Sequence, residues 1–559
     1  MFVRIKSTPY SPRKSVQIVE SRRVEGKIKQ VILRHVGVAN DEQELLRLKA
    51  LAEVLAHRMR MEGESANLFL PEQLPSRAAK ARQVPVDVAD EMESAPLKVD
   101  LRTLHEQRRD IRGIHDIYGK LYDELGFGRV IGIPCGHAWA PQLLRQIVMA
   151  RLACPLSKRG SVRDLANRFG IHLSLSAVYR MMDHLDAAAM QRANDLAYAA
   201  ARELFGQKIN LVFYDCTTLY FESFEEDELR SKGCSKENRF SQTQVMLALA
   251  VTTEGIPLGY ELFEGKTYEG NTFKNLLARV QRRWKPSELV VVADSAMLSQ
   301  DNIDLLENLK LSYIVGARLK NLNSDLSRKV QEHGAQASVK SIPVDAKSRL
   351  VVSFSPKRAR KDAYEREKMI QKLIKKLAKS GRPKPMMGRQ GYRRFLNLQG
   401  DCQVTLNEQA VKEAAVWDGL HGVRTNLLAM PEEDVLKQYH GLWQVEDCFR
   451  VSKHDLRMRP IFHWSPARIQ AHVAICFIAL CCVRHLMYRV RLQQGAMSAQ
   501  AIRQALFSVQ VSVHEDLSTG ECYELPGRWL IEAEKLYKTM GVKLRGAARK
   551  IGPTSTGDR

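Results

Sequence analysis

Two short apolar runs, each ending in an aspartate, decide the fold: INLVFYD (residues 209–215) and ELVVVAD (residues 288–294). Each run is long enough for a buried strand and too short for a helix. A hairpin pattern (243–265, with its turn at TEG) and an amphipathic helix (272–284) separate them. A helix (295–309), a strand (312–318), a strand-like segment (417–428) and a long helix (431–454) follow.

Three strands, a helix, a strand, a helix, a strand and a final helix are the element order of a ribonuclease H-like α/β fold with a mixed sheet. Roughly 95 residues interrupt this order after residue 318, too many for a loop, and predict an inserted domain. The predicted regions are an N-terminal β-hairpin and helical unit (1–70), a linker (71–98), a helical region (99–204), the first part of the core (205–320), the basic inserted domain (321–414), the second part of the core (415–495) and a C-terminal helical region with a tail (496–559).

The aspartates that end the two strands are candidate metal ligands. Asp215 and Asp294 would lie at the carboxyl edge of the sheet, where open α/β sheets place their sites. Taken singly, each is more often a turn or helix-cap residue. The first and fourth strands of this fold are neighbours, so the two carboxylates would face each other and repel. A bound Mg²⁺ removes that repulsion, because hard cations prefer carboxylate oxygen.

The long helix carries a third carboxylate. Tyr439, Glu446 and Lys453 are seven residues apart, and seven steps of about 100° return within about 20° of the start. The three residues therefore share one helix face, with Arg450 one turn beyond Glu446. The plain alternative is a surface stripe with a Glu446–Arg450 pair, which contributes only a few tenths of a kcal/mol.

The charge of the chain favours a polyanionic partner. Lys and Arg number 86 against 63 Asp and Glu, giving a net charge of +23. The segment 356–394 concentrates 15 basic residues against three acidic ones, by count along the sequence. Such a run is often only solvated surface, and it is also suited to contact phosphates.

A helix-turn-helix is predicted within the helical region. One helix would run from Val162 to Phe169, Gly170 would end it, and a second would run from Ser176 to Leu185. The alternative is a plain pair of packed helices. In the DNA-binding interpretation the second helix presents Ser174, Ser176, Tyr179 and Arg180 to DNA.

The ten cysteines include no Cys-x-x-Cys pair, which argues against a zinc site or a disulfide framework and for a reducing compartment. The N-terminal residues lack the apolar segment of a signal peptide. The most apolar stretch, Val473 to Val483, is about half the length that spans a bilayer, so a buried helix is expected.

The phrase YHGLWQVEDCFRVSK (439–453) resembles the Tyr-x₂-Arg-x₃-Glu-x₆-Lys signature of DDE transposases from bacterial insertion sequences, in the group named after insertion sequence four. Tyr439, Glu446 and Lys453 match its spacing, whereas Leu442 stands where the signature has Arg, and Arg450 is a candidate replacement. Four other segments are also similar to sequences of this family: DCTTLYFE, GIPLGYELFEG, ADSAMLSQDN and WDGLHGVRTN. The resemblance covers nearly the whole chain.

The resemblance implies an enzyme that binds terminal inverted repeats as a homodimer or larger synapse. Asp215, Asp294 and Glu446 would hold Mg²⁺ or Mn²⁺, as two ions that clamp the attacking and leaving oxygens. Water would cut the end of the element, and the freed 3′-hydroxyl would attack target DNA. Lys453 would contact a phosphate and Tyr439 the DNA backbone, with no membrane partner and a cytoplasmic, nucleoid-associated location in bacteria.

Two other classes of protein remain open. A metal-dependent nuclease of the same fold would share the carboxylates and cut without strand transfer. A non-catalytic DNA-binding regulator would need only the charge and the helix-turn-helix, and the three carboxylates argue against it. Short inverted repeats flanking the reading frame would separate the transposase from both.

Overall fold

The chain folds into two compact units, Met1–Pro96 and Leu97–Arg559. The predicted helical part of the N-terminal unit (41–62 in the sequence pattern) and nearly all of the predicted linker lie outside the described residues. The computed structural model describes residues 2–7, 14–24, 27–39, 97–132, 139–206, 209–222, 225–233, 242–279, 289–333, 339–379, 395–399 and 403–551.

The first unit contains an antiparallel sheet of three strands in sequence order. Its strands coincide with the alternating apolar and polar residues near the N-terminus, a period that suits a strand with one buried face. They are β1 (Phe2–Ser7), β2 (Lys14–Val24) and β3 (Lys27–Ala39).

The second unit begins with one strand and five helices. The predicted helix pair is present, because Gly170 adopts a left-handed φ of +67° that ends the first helix. The Ser174 hydroxyl then caps the second helix by accepting a hydrogen bond from Ala177 N at 3.1 Å. The elements are β4 (Leu104–Ile111), α1 (Gly113–Glu124), α2 (Trp139–Ala153), α3 (Lys158–Phe169), α4 (Leu175–Asp183) and α5 (Ala187–Leu204).

The first half of the central sheet follows the predicted order of elements. The first and fourth strands pair in parallel, as predicted, with Tyr214 opposite Ala293. One correction concerns the first strand, which continues past Asp215 to Tyr220, because the β-prone residues after Asp215 pair with the antiparallel neighbour. The elements are β5 (Leu211–Tyr220), β6 (Gln244–Val251), β7 (Pro257–Glu264), α6 (Glu269–Arg279), β8 (Val290–Ala293), α7 (Gln300–Asn308) and β9 (Ser312–Gly316).

Two more strands of the sheet lie where the sequence predicts only an inserted domain. The apolar run RLVVSF (349–354) pairs with the strand over 420–425 and extends the sheet, which buries its side chains. The next elements are α8 (Ser324–His333), β10 (Lys340–Pro343), β11 (Arg349–Phe354), α9 (Pro356–Lys379), β12 (Leu396–Gln399), β13 (Gln403–Leu406), α10 (Glu408–Ala415) and β14 (Leu420–Thr425). The eight strands lie in the order β10-β11-β14-β9-β8-β5-β6-β7.

The helix predicted over 431–454 is three segments in the structure. α11 (Glu432–His440) and α12 (Trp443–Arg450) are joined by a tight turn, and a π-helical turn (Val451–Asp455) follows. A Cβ at Gly441 would collide with the ring of Phe213, so the lack of a side chain lets this turn pack against β5. The apolar periodicity continues across the turn, which is why the sequence predicts one helix.

The remainder of the chain contains a long buried helix and the strands of a second sheet. The sequence predicts only helices over 496–559, whereas strands there pair with β4, a partner about 400 residues away that local pattern cannot reveal. The elements are α13 (Pro466–Gln494), α14 (Ala499–Ser508), β15 (Gln510–Asp516), β16 (Glu521–Pro526), α15 (Ile531–Met540) and β17 (Arg549–Ile551).

Helix α13 lies in the hydrophobic core of the second unit. Among the described residues it is the one helix long and apolar enough to cross a membrane, and 83% of its apolar window is buried inside the protein. The stretch Val473 to Val483 is at most 2% exposed, so the prediction of a buried helix is confirmed.

His485 on α13 gives a stability prediction. It is 1% exposed, and neither ring nitrogen has a hydrogen-bond partner among the described residues. Burial lowers its pKa to about 3, so the unfolded chain takes up a proton below about pH 6.5 that the folded protein does not. We expect His485→Leu to stabilise the protein by about 1 kcal/mol at pH 7.5.

The gain from His485→Leu should grow at pH 5, because the acid-dependent cost of the buried imidazole is then removed. Urea unfolding at the two pH values measures this gain in the free energy of unfolding. His172→Gln, at an exposed position, is the control and should leave the free energy of unfolding unchanged at both pH values. A gain that is equal at both pH values would contradict the assigned burial effect.

Candidate active site at the carboxyl edge of the sheet

Asp215 and Asp294 lie side by side on the central sheet. The parallel pairing of β5 with β8 ends at Tyr214 and Ala293, and each aspartate is the next residue on its strand. Asp215 is half-buried and Asp294 is exposed at the strand end. The sheet therefore brings these two predicted carboxylates together.

Both carboxylates also bond to the backbone, as turn and cap residues do. Asp294 Oδ1 accepts from Ser295 N at 2.6 Å and begins a short 3₁₀ turn. Asp215 Oδ1 accepts from Cys216 N at 2.7 Å. These bonds fix the orientation of each carboxyl group, as expected of turn and cap residues, and binding of a metal by the two aspartates stays a prediction.

Tyr439 reaches the edge from α11. Its hydroxyl donates to Asp294 Oδ1 at 3.4 Å, and a Cβ at Gly316 would collide with that hydroxyl. Burial, and then the Asp294 carboxylate, raise the pKa of the Tyr439 phenol, which keeps its proton as a donor. The ring of His421 on β14 packs against it, with 5.1 Å between ring centroids.

Lys453 contacts β5 close to Asp215. Its ammonium donates to Thr217 Oγ1 at 2.7 Å from the π-helical turn. Thr217 is two residues beyond Asp215 and on the same face of the strand, a spacing of about 7 Å. Lys453 thus places a positive charge beside the carboxylate edge, in a segment whose π-helical form the sequence did not reveal.

Glu446 is not brought into contact with the two aspartates. It is exposed in the first turn of α12, and among the described residues no three His, Cys, Asp or Glu side chains lie close enough to hold a metal. The neighbouring Asp447 faces inward, where its Oδ2 accepts from Arg484 Nη1 at 2.5 Å. The two acids therefore face in different directions, as the 100° step requires.

Arg450 does not pair with Glu446. Its guanidinium binds Asp447 at 2.8 Å and Asp455 at 3.4 Å, while 55% of its side chain stays exposed. The alternative of a Glu446–Arg450 pair is therefore not found, because Asp447 and Asp455 both lie within reach of the guanidinium. DNA contact by Arg450 stays a prediction.

The predicted DNA-reading residues of α4 mostly contact residues of other elements. Tyr179 packs edge-on against His463, with Arg468 over its ring at 4.8 Å. Arg180 is exposed and lies over the ring of Trp139 at 5.6 Å. Ser174 and Ser176 are exposed and hydrogen-bonded to each other at 3.1 Å. DNA reading by this helix stays a prediction.

Two residues of the edge were missed by sequence reasoning. His421 lies within the segment WDGLHGVRTN, and Arg358 lies in the basic segment 356–394. Both segments were singled out from the sequence, but neither of these two residues was. Burial, and then Arg358, lower the pKa of His421 to about 4, so the ring is neutral near pH 7. Arg358 also lowers the pKa of Tyr439, which places its charge near the carboxylate edge.

The donor set at the edge suits a hard divalent cation. Its candidate ligands are carboxylate oxygens, the type that Mg²⁺ and Mn²⁺ prefer. The nearby Cys216 contacts Tyr214 and Thr272 on the other face of β5, and burial raises the pKa of its thiol to about 12.

A family model matches the central part of the chain. Residues 206–482, just under half of the chain, match the family model described as the transposase DDE domain, and this range includes Asp215, Asp294, Tyr439, Glu446 and Lys453. This part of the chain is therefore similar to a transposase DDE domain. No curated protein matches it.

Two solved structures show a remote likeness. One is the Mos1 transposase paired-end complex with left transposon end, at 15% identity and a TM-score of 0.14, covering 33% of this chain and 60% of that one. The other is the Mos1 mariner paired end complex with Mn, at 15% identity and a TM-score of 0.14, covering 28% and 54%.

Proposed function

We propose that this protein is a transposase that binds the terminal inverted repeats of a bacterial insertion sequence, cleaves DNA at the element's ends and joins the freed 3′-hydroxyls to target DNA. The observation that carries the proposal is the arrangement at the sheet edge. Asp215 and Asp294 stand on adjacent parallel strands, Tyr439 contacts Asp294, and Lys453 lies beside the Asp215 strand.

The three carboxylates would hold two divalent cations, which supply electrophilic stabilisation of the attacking and leaving oxygens when bound. Asp215 and Asp294 are already oriented by backbone bonds. Glu446, whose side chain is exposed, would be the third ligand. In each step an oxygen nucleophile attacks phosphorus and the bond to the leaving oxygen breaks, so no covalent protein–DNA bond is required.

The other residues of the edge position the DNA. Lys453 donates to a phosphate oxygen near the bond that breaks, acting as a compact positive charge. Tyr439 holds Asp294 by its hydroxyl and presents its ring beside the DNA backbone. The basic helix α9 contains Arg358 in its first turn, and it contacts phosphates further along the duplex.

The proposed partners are double-stranded DNA at the element's ends and at the target. Cutting both ends of one element in a coordinated way requires two active sites, so a homodimer in a synaptic complex is proposed. Such a protein acts on DNA in the bacterial cytoplasm.

Cleavage should require Mg²⁺ or Mn²⁺. We expect chelation with EDTA to lower the rate of cutting at an inverted-repeat end by at least about a hundredfold, and added Mg²⁺ to restore it. The assay uses a labelled duplex that carries the repeats flanking the reading frame. Undiminished cutting in chelator would contradict the carboxylate mechanism.

The same assay separates a transposase from a nuclease of this fold. A target plasmid is added, and joining of the labelled 3′ end to it is followed on a gel. Joined product supports the transposase, whereas cutting without any joining at either metal supports the nuclease. Binding of the duplex without any cutting would support the non-catalytic DNA-binding regulator.

A further inference from the structure

A cavity lined by basic residues lies outside the site formed by Asp215, Asp294 and Lys453. A cavity of about 560 Å³ opens between the N-terminal end of α3 and the segment 457–463. Neither the three candidate carboxylates nor Lys453 line it. Its charged lining residues are Arg151, Lys158, Arg159 and Arg457.

The cavity carries uncompensated positive charge. No Asp or Glu occurs among its lining residues, all of which belong to the described part of the chain. Lys158 and Arg159 also occupy the first turn of α3, which contains no acid, although the helix dipole favours anions there and disfavours cations. Both the side chains and the helix therefore favour a negatively charged occupant.

Lys158 is the second, independent indication of a ligand. Its side chain lines the cavity although the residue is only 3% exposed. Its ammonium contacts His472 Nδ1 at 3.3 Å, while His472 Nε2 contacts Met458 O at 3.1 Å, so the ring donates to the carbonyl and accepts from the lysine. One of three ammonium donors is thus used among the described residues.

An occupant would relieve the cost of burying this lysine. Burial, and then the nearby Arg151, lower the pKa of Lys158 to about 7. A buried ammonium without a carboxylate is costly, and an anion within hydrogen-bond distance would offset that cost.

The walls of the cavity are held in place before any ligand binds. The buried Arg151 guanidinium donates to Leu156 O at 3.0 Å and to Arg457 O at 3.4 Å, linking the two sides. Arg457 is exposed and has a left-handed φ of +42°, a conformation that non-glycine residues rarely adopt. Arg457 and Arg159 are therefore cations at the solvent side of the cavity, and Lys158 is the cation at its buried side.

We propose that this cavity binds a phosphate group, with Lys158, Arg159 and Arg457 supplying the positive charge. Its cationic lining and the N-terminal end of α3 suit a tetrahedral oxyanion. The phosphate is either a phosphodiester of bound DNA or a free phosphate. Only the DNA source rests on the proposed function, and Tyr179, which the sequence predicts to contact DNA, lines the same cavity.

The first experiment is calorimetric titration of the full-length protein with inorganic phosphate at low salt. We expect Lys158→Met and Arg159→Gln each to weaken binding by about tenfold or more. The matched control is Arg163→Gln, which removes one exposed charge from the same helix, outside the cavity, and should leave binding unchanged.

Lys158→Met should stay folded, because an apolar side chain replaces a buried charge, and thermal unfolding checks this. Arg159→Gln alters an exposed residue and keeps the test valid if Lys158→Met misfolds. Absence of phosphate binding to the wild type, or equal binding by the wild type and both variants, would overturn the proposal.

A second experiment identifies the source of the phosphate. If the site holds DNA, an inverted-repeat duplex displaces inorganic phosphate, and Lys158→Met lowers the slope of log affinity for DNA against log salt by about one. If the duplex binds without displacing phosphate, the site takes free phosphate. Asp215→Asn should bind phosphate normally in either case, so failure of the catalytic proposal would not mimic failure of this one.

Discussion

Glu446→Gln is expected to lower cutting at the element's end by at least about a thousandfold while end binding stays nearly intact. The change removes one charge that would bind a metal and almost no volume. Glu446 is exposed and has no ion pair among those found in the described residues, so the fold should not depend on it. Asp215→Asn and Asp294→Asn should be equally inactive, since they remove the other two proposed ligands.

The measurement is a gel-shift and a cleavage assay on the same protein preparations. Glu433→Gln is the matched control, because it removes an exposed carboxylate from the preceding helix and should cut normally. The opposite pattern, with Glu446→Gln active and Asp447→Asn inactive on folded protein, would show that the wrong carboxylate has been assigned, and the role of Lys453 would fall with it.

Asp447→Asn is expected to act on stability instead of chemistry. Asp447 accepts from the Arg484 guanidinium, whose side chain is 6% exposed and which also donates to Gly255 O at 2.7 Å. Removing the carboxylate leaves a buried guanidinium charge without its counter-ion. We expect the free energy of unfolding to fall by about 2–3 kcal/mol, below the range for a fully buried pair because Asp447 is 21% exposed.

Urea unfolding measures this effect, and Glu446→Gln serves as the neighbouring control, with an expected change within about 0.5 kcal/mol. At a temperature where Asp447→Asn remains folded, its cutting rate should be close to that of the wild type. Equal stability of Asp447→Asn and the wild type would contradict the structural role of the Arg484 pair.

The carboxylate edge was predictable because it depends on local pattern and on one rule of topology. Apolar runs that end at Asp215 and Asp294 identify two buried strands, and the order of elements makes those strands neighbours. Tyr439, Glu446 and Lys453 were found by their spacing. That spacing did not reveal the break at Gly441 or the π-helical turn, because apolar periodicity continues through both.

The contacts between distant parts of the chain were not predictable from the sequence. Arg484 could be recognised as a charge beside an apolar stretch, but its partners Asp447 and Gly255 come from other elements. The pairing of β4 with β15 and the position of β11 in the central sheet likewise join segments far apart in sequence. Strand pairing depends on such neighbours more than on the strand's own residues.

The sequence by itself determined a mixed α/β fold and the two buried strands that carry or precede Asp215 and Asp294, since both depend on local periodicity. Only the tertiary structure decided that Asp447 faces Arg484 while Glu446 faces solvent, that Arg450 pairs away from Glu446, and that Lys158 is buried in a cationic cavity. The physical reason is that burial and charge pairing are properties of the packed neighbours, which the chain brings together only on folding.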